Sequence, residues 1–264
     1  MSGITSKIGL TVGTLSVLLT ACVSENLFQP VGPSTGSARS GAVETSITLR
    51  KGQYIIIVSG DQPPVVKANG RMGSSLPAVG LATATSSDPN FAAKAARIAG
   101  VRSVIPDFEA QFINPVKEYT DESMLEQAAV SNPTNDPLFA LQWGHTAISS
   151  PQAWAAGYQG AGARVAVLDG GFDLNHPDLA GNIVYSRSFV PGEATQYALP
   201  GVGSHGTHTA GTVGALDNNI GVVGVAPKAS LLLIKVLEDR DSGAFSWLIQ
   251  GVLDAVDQKA DIIS

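Results

Sequence analysis

The residues able to do chemistry fall in two short stretches. "VAVLDGG" runs into Asp169 and two glycines, and "SHGTHTAGTV" carries His205 with His208 three positions on. His205 follows Asp169 by 36 residues. A carboxylate and an imidazole on neighbouring elements are two members of a nucleophilic triad. The carboxylate accepts from one ring nitrogen and fixes the tautomer, while the other nitrogen takes a hydroxyl proton. The same residues also fit a plainer arrangement, a strand-end Asp and a capped helix. Zinc is a third reading and fits poorly. It takes three or four ligands from His, Cys and carboxylates, and helical pairs are commonly i, i+4 with an adjacent Glu. Here the spacing is i, i+3, no Glu adjoins the pair, and the single Cys is residue 22.

These side chains need elements to hold them. Asp169 closes "ARVAVLD" (163–169), and "SLLLIKVL" (230–237) is a second continuous apolar run. Such runs are typical of parallel strands buried on both faces. Residues 205–215 read as a helix despite their glycines, with His205 at the N-terminus, where the helix dipole favours the neutral ring a base needs. Gly206 leaves the backbone bare beside His205, and Gly211 lets the helix pack closely. Phe245, Ile249, Val252 and Val256 recur at helical spacing, and "DIIS" begins another strand. From about residue 135, this alternation predicts a doubly wound, mostly parallel α/β sheet. Asp169 then stands at the carboxyl end of a strand, where such sheets gather ligands and reacting groups.

Upstream, the chain has a different character. Residues 8–21, "IGLTVGTLSVLLTA", are an apolar run after Lys7, too short to span a membrane as a helix and shaped like a secretory signal. "LTAC" resembles the bacterial lipobox, which makes Cys22 the lipid-bearing residue and anchors the chain to a membrane surface without spanning it. Ser24 rather than Asp follows Val23, which permits outer-membrane sorting in Gram-negative bacteria. A flexible Ser/Gly/Pro-rich tether follows (22–47). Then come a strand at "GQYIIIVSG" (52–60), a helix at "DPNFAAKAARIAG" (88–100) that Asp88 can cap, and two short strands, "VRSVI" and "FEAQFI". We read the predicted organisation as a signal peptide at 1–21, the tether, a small α+β module at 48–115, a linker at 116–134, and the α/β region at 135–264. The last stops inside a βα unit, as a segment of a longer sequence would.

The 264 residues, 44% hydrophobic and 14% charged, are enough for more than one core. A net charge of -6 and a pI near 5.1 lack the basic footprint of a nucleic-acid binder, so nucleic acid is excluded as a partner.

"VAVLDGGFDLNHPDL", "SHGTHTAGTV" and "NNIGVVGVAPKASLLLIKVL" resemble the subtilisin-like serine peptidases in order and spacing, and "DSGAFSW" resembles their substrate-binding segment. The resemblance covers about Asn135 to Ser264. It implies that Asp169 is the triad carboxylate, His205 the general base and His208 a non-catalytic neighbour. The family's nucleophilic serine and oxyanion asparagine are absent from these 264 residues, and neither Ser204 nor Ser246 fills the role. Gly170 stands where the family usually has Ser or Thr, whose hydroxyl can bond the carboxylate.

The resemblance also implies structural calcium held by Asp136, Asp178, Asn218 and the carbonyls of Leu216, Ile220 and Val222, hard oxygen donors of the kind calcium takes. It gives Ser242 and Gly243 as backbone contacts to an extended peptide, and Phe245 as a wall of a hydrophobic pocket. His145 and His176 read as structural. The module at 48–115 fits the family's ferredoxin-like pro-domain, an intramolecular inhibitor. The implied protein is an exported serine endopeptidase acting on peptides or proteins, either secreted or a lipid-anchored envelope protein. The alternative is a catalytically inactive surface lipoprotein that uses the same fold to bind peptides.

Overall fold

A computed structural model describes residues 47–59, 65–112, 133–199 and 204–264, all within one unit, Glu44–Ser264. The stretches read as signal peptide, lipidated Cys22, tether and most of the linker lie outside the described residues. Among the described residues no helix is long and apolar enough to cross a membrane.

The two apolar runs form β5 (Arg164–Asp169) and β7 (Ser230–Lys235). They pair in parallel from Arg164 opposite Ser230 to Asp169 opposite Lys235. With β6 (Ile183–Ser188) and β9 (Ile262–Ile263) they make a parallel sheet in the order β6-β7-β5-β9. Alternate side chains of a strand face opposite sides, and both sides are used. Val165, Val167, Leu231 and Leu233 pack in one cluster with Ala210 of the helix His205–Gly214. Ala166, Leu232 and Ile234 pack in another with Ala255 of the helix Phe245–Asp257. Helices thus cover both faces, which is why these strands read as unbroken apolar runs.

The first module is an antiparallel sheet built on β1 (Ile47–Val58), β2 (Arg71–Leu76), β3 (Leu81–Thr85) and β4 (Val101–Gln111). Ile56, Val65, Ala82 and Ala84 close its core with Phe91 and Ala95 of the helix α1 (Phe91–Ala95). Phe91 is fully buried, its ring centroid 4.7 Å from that of Tyr54; that burial stabilises by about 2 kcal/mol.

The structure corrects two local expectations. "VRSVI" and "FEAQFI" are one strand, not two, because Pro106 falls where the β1–β4 register shifts and the ladder tolerates its missing N–H. The helix expected over 88–100 is the five-residue α1. Asp88 accepts from the Asn90 N–H at 2.9 Å instead of capping at the helix boundary, and only Phe91 and Ala95 are buried, so one turn rests on the sheet.

The antiparallel sheet ends on a strand from the other region. β8 (Ser242–Ala244) adds to β4 in the order β2-β3-β1-β4-β8. In chain order the remaining helices are α2 (Trp143–Ala147), α3 (Ser150–Ala155), α4 (His205–Gly214) and α5 (Phe245–Asp257).

Candidate active site

Asp169 ends β5 with only 3% of its surface exposed. Its Oδ1 accepts from the Gly170 N–H at 2.6 Å, and its Oδ2 lies 2.8 Å from Nδ1 of His205. With the proton on Nδ1 the ring donates to the carboxylate and leaves Nε2 as the acceptor, the tautomer a base requires. The Asp169 carbonyl is held too, accepting from the N–H groups of Val236 and Leu237 at 3.0 and 3.3 Å.

His205 is the first residue of α4, and several bonds fix that end of the helix. The Ser204 hydroxyl accepts from the Thr207 N–H at 3.2 Å and donates to the Gly171 carbonyl. The Thr207 hydroxyl accepts from the Asp173 N–H at 2.9 Å. Gly206 is buried against the loop after β5. A Cβ there would overlap the Gly171 carbonyl oxygen and stand 3.0 Å from Asp169 Cβ and from the Phe172 ring. Gly211, expected to permit close packing, has nothing within 4 Å of an added Cβ among the described residues.

From the other side, fully buried Lys235 donates to the Gly170 carbonyl. It also pairs with Asp239 at 2.7 Å and Glu193 at 3.1 Å. A buried ammonium is tolerable only when so partnered.

Phe112, Leu168, Val236 and Leu237, together with Asp169 and His205, line a cavity of about 280 Å³. Among the described residues no serine hydroxyl bonds the His205 ring. Ser204 is the helix cap, and Ser246 is held by Asp107, so neither takes the nucleophile's place. His208 is exposed and makes no bond to His205. Among the described residues no group of three or more His, Cys, Asp or Glu could hold a metal. His145 is buried between Phe139 and Trp154, its Nε2 2.9 Å from the Val223 carbonyl, and burial lowers its pKa. His176 accepts from the Asp178 N–H through Nδ1 at 3.2 Å.

The segment resembling a peptide-binding edge is occupied by this chain's own β4. Gln111 stands opposite Ser242, Ala110 opposite Gly243, and Glu109 opposite Ala244. The Phe112 N–H extends the pairing to the Asp241 carbonyl at 3.2 Å. A Cβ at Gly243 would lie 2.8 Å from the Val236 carbonyl, so the strand edge passes against the chain just after β7 only because that side chain is missing. Phe245 stacks on Phe108 of β4, with centroids 5.0 Å apart and planes 13° from parallel.

Asp136 and Asp178 are both buried, and both reach the loop 216–222. Asn218 N–H donates to Asp136 Oδ1 at 3.2 Å, and Val222 N–H donates to Asp178 Oδ2 at 3.1 Å. The Asp178 carbonyl accepts from the Leu216 N–H at 2.8 Å. Burial pushes both carboxyl groups up from the ordinary value. Buried Oδ1 of Asp178 has no hydrogen-bond partner among the described residues.

Residues 160–264 match the Subtilase family, peptidase S8. The likeness to that family lies in this stretch, about two fifths of the chain. Subtilisin E of Bacillus subtilis (strain 168) is 40% identical over 149 residues, which are 56% of this chain and 38% of that protein. Thermitase of Thermoactinomyces vulgaris is 43% identical over 132 residues, 49% of this chain and 46% of that protein. The chain therefore spans less than half the length of these relatives. Among solved structures, fervidolysin from Fervidobacterium pennivorans, described as a keratinolytic enzyme related to subtilisin, matches with a TM-score of 0.66 at 26% identity. The match covers 86% of this chain and 36% of that one. It is too wide for the subtilase segment alone and takes in residues of the first module.

Three residues around this site escaped sequence reasoning. Lys235 is hidden inside an apolar run, and its partner Glu193 is far away in the chain. Asp107, 2% exposed, accepts from the N–H and hydroxyl of Ser246 at 3.2 and 2.7 Å, at the open N-terminus of α5. Asp241 lies in the loop between β7 and β8. Of these, only Lys235 left a signal, as a charged residue inside an otherwise apolar run.

Proposed function

We propose that this chain carries the pro-domain, the triad carboxylate and the general base of an exported serine endopeptidase. One observation carries the reading: the 2.8 Å contact between Asp169 Oδ2 and His205 Nδ1 at the carboxyl end of the parallel sheet. In this mechanism Nε2 of His205 takes the proton of the serine hydroxyl as its oxygen attacks the peptide carbonyl. The imidazolium, stabilised by Asp169, then gives that proton to the leaving amine, and water repeats the sequence on the acyl-enzyme. The family match and the Subtilisin E and Thermitase similarities support peptides or proteins as substrates. A fluorophosphonate probe tests the reading directly. The full-length protein should be labelled on a serine and lose hydrolysis of a fluorogenic peptide, whereas an unlabelled protein that cleaves no peptide would sink it.

The first module acts as an intramolecular inhibitor in this reading. Its support is β4 seated on β8, the edge a substrate strand would use, with Phe112 in the cavity beside His205. The order β2-β3-β1-β4 is compatible with a ferredoxin-like pro-domain. Asp107 caps α5 from β4 and pairs with Arg50 at 2.9 Å, while Arg50 lies over the Trp247 ring at 4.9 Å. Asp107→Ala should weaken this docking by about 1–2 kcal/mol. In the full-length precursor the loss should be read as earlier appearance of peptidase activity and faster proteolysis of the module.

The donor set at Asp136, Asp178, Asn218 and the carbonyls of Leu216, Ile220 and Val222 fits calcium. Hard oxygens are present, and a buried carboxylate oxygen lacks a partner among the described residues. Calcium there would hold both carboxylates ionised and tie the loop 216–222 to Asp136. Chelation should lower the melting temperature and added calcium restore it. At a hundredfold excess over Kd the linkage is worth about 2.7 kcal/mol. Asp178→Asn should remove the difference between chelated and calcium-loaded protein. Equal melts of the parent with and without calcium would discard the site. Cys22 as lipid anchor and outer-membrane sorting also belong to the proposal, and mass spectrometry of the mature N-terminus checks them.

A further inference from the structure

Gly170, directly after the triad carboxylate, is not at a positive φ, so its missing side chain supplies room rather than backbone freedom. That room is filled. A Cβ built on Gly170 would lie 2.6 Å from Oδ1 of Asp241 and 3.1 Å from the Glu238 carbonyl oxygen. Asp241 reaches the position from a tight turn. Its N–H donates to the Glu238 carbonyl at 2.8 Å, the Glu238 N–H donates to the Ser242 carbonyl at 2.7 Å, and Asp241 sits at φ 63°. Left-handed backbone costs a non-glycine residue energy, and Asp is among the residues that tolerate it.

We propose that Asp241 is a positioning residue for the Asp169–His205 pair: its carboxyl group takes the place of a side chain at residue 170, holds the turn after β5, and sets a second acidic group beside the imidazole. The proposal rests on the peptidase reading above. Gly170 and Asp241 are then one exchange written at two distant positions, and the Gly170 departure is compensated in space.

The charged and titratable groups facing Asp241 are Asp169 on β5, His205 on α4, Lys235 on β7, and Asp239 and Tyr197 from the adjoining loops. Burial and then the neighbouring Asp169 charge push its carboxyl above the ordinary value, while His205 and Lys235 pull it down. Attraction between Asp241 and an imidazolium at His205 is reciprocal. Removing the negative charge at 241 must therefore make His205 easier to deprotonate.

The experiment uses the full-length enzyme after maturation, with kcat/KM for a peptide measured between pH 5 and 9. Asp241→Asn keeps the volume and removes the charge, so the acid limb should move to lower pH. Gly170→Ser alone should lower kcat at least about tenfold, because the new side chain meets Asp241. Gly170→Ser with Asp241→Gly should recover most of that loss, a non-additive pair. An unmoved acid limb in Asp241→Asn, or a double variant no better than Gly170→Ser, would overturn the proposal. If Gly170→Ser does not fold, the Asp241→Asn profile decides. If the parent shows no peptidase activity, the peptidase reading fails by itself. Titration of the His205 ring by NMR in parent and Asp241→Asn then still tests the coupling, and equal midpoints reject it.

Discussion

On the proposed peptidase mechanism, His205→Ala in the full-length protein should lower kcat for a peptide substrate by about six orders of magnitude without changing the melting temperature by more than a few degrees. The size follows from how the triad works as a unit. Without a base, the serine hydroxyl attacks with its proton still in place, and the remaining binding and oxyanion donors supply only the residual acceleration. The stability side follows from position. His205 is about one-third exposed at the first turn of α4, and the bonds that fix that turn come from Ser204 and Thr207, which the substitution leaves intact. Asp169→Asn should cost about four orders of magnitude, since an amide at Oδ2 no longer accepts from Nδ1 and the wrong tautomer is favoured. Asp169 is nearly fully buried, so its melt should also fall. Activity in His205→Ala within tenfold of the parent would remove His205 from the role of base.

The residues proposed to carry the chemistry stand out in the sequence because their signal is local. The continuous apolar runs announce β5 and β7, the glycine-flanked Asp169 ends one of them, and the small residues of 205–214 allow a helix to approach a sheet. Each fact is contained in about ten residues. What stayed hidden is set by contacts between distant residues. Lys235 reads as one polar interruption in "SLLLIKVL", and nothing nearby says it is fully buried and neutralised by Glu193 and Asp239. Gly170 reads as a lost hydroxyl, whereas the structure puts the Asp241 carboxyl in its place.

Strand boundaries followed the same divide. Pro106 reads as a break between strands because a proline removes a donor wherever it stands. Only the β1–β4 register shift shows that no ladder bond was needed there. The pairing of β4 with β8 joins residues more than 130 positions apart, as the Asp107–Ser246 bond separation of 139 illustrates. No period or turn signal encodes such a partner. It follows from the last three residues of β4, Glu109 to Gln111, meeting the three residues of β8, with Asp107 available to cap a helix that has no side-chain cap of its own.

Gly206→Ala should be the most damaging change that removes no functional group. The helix α4 meets the loop after β5 at Gly206, and its neighbours have little freedom to withdraw. The Gly171 carbonyl accepts from the Ser204 hydroxyl, and Gly171 itself sits at φ 127°, a conformation other residues rarely adopt. Phe172 is wholly buried in the cluster with Leu179 and Ala210. Asp169 Cβ is fixed by the β5–β7 pairing. The added methyl must therefore push the start of α4 outward. Overpacking of this kind costs about 1–3 kcal/mol, and a displacement near 1 Å at a reacting group costs about a hundredfold in rate. Both losses are expected together: a lower melting temperature, and a kcat reduced about a hundredfold with KM nearly unchanged, because the β8 edge proposed to meet the substrate does not move. A variant that melts with the parent and keeps its kcat within twofold would show that α4 and the Asp169 loop can separate without disturbing the pair, and the close approach at Gly206 would lose its claim to hold His205 in place.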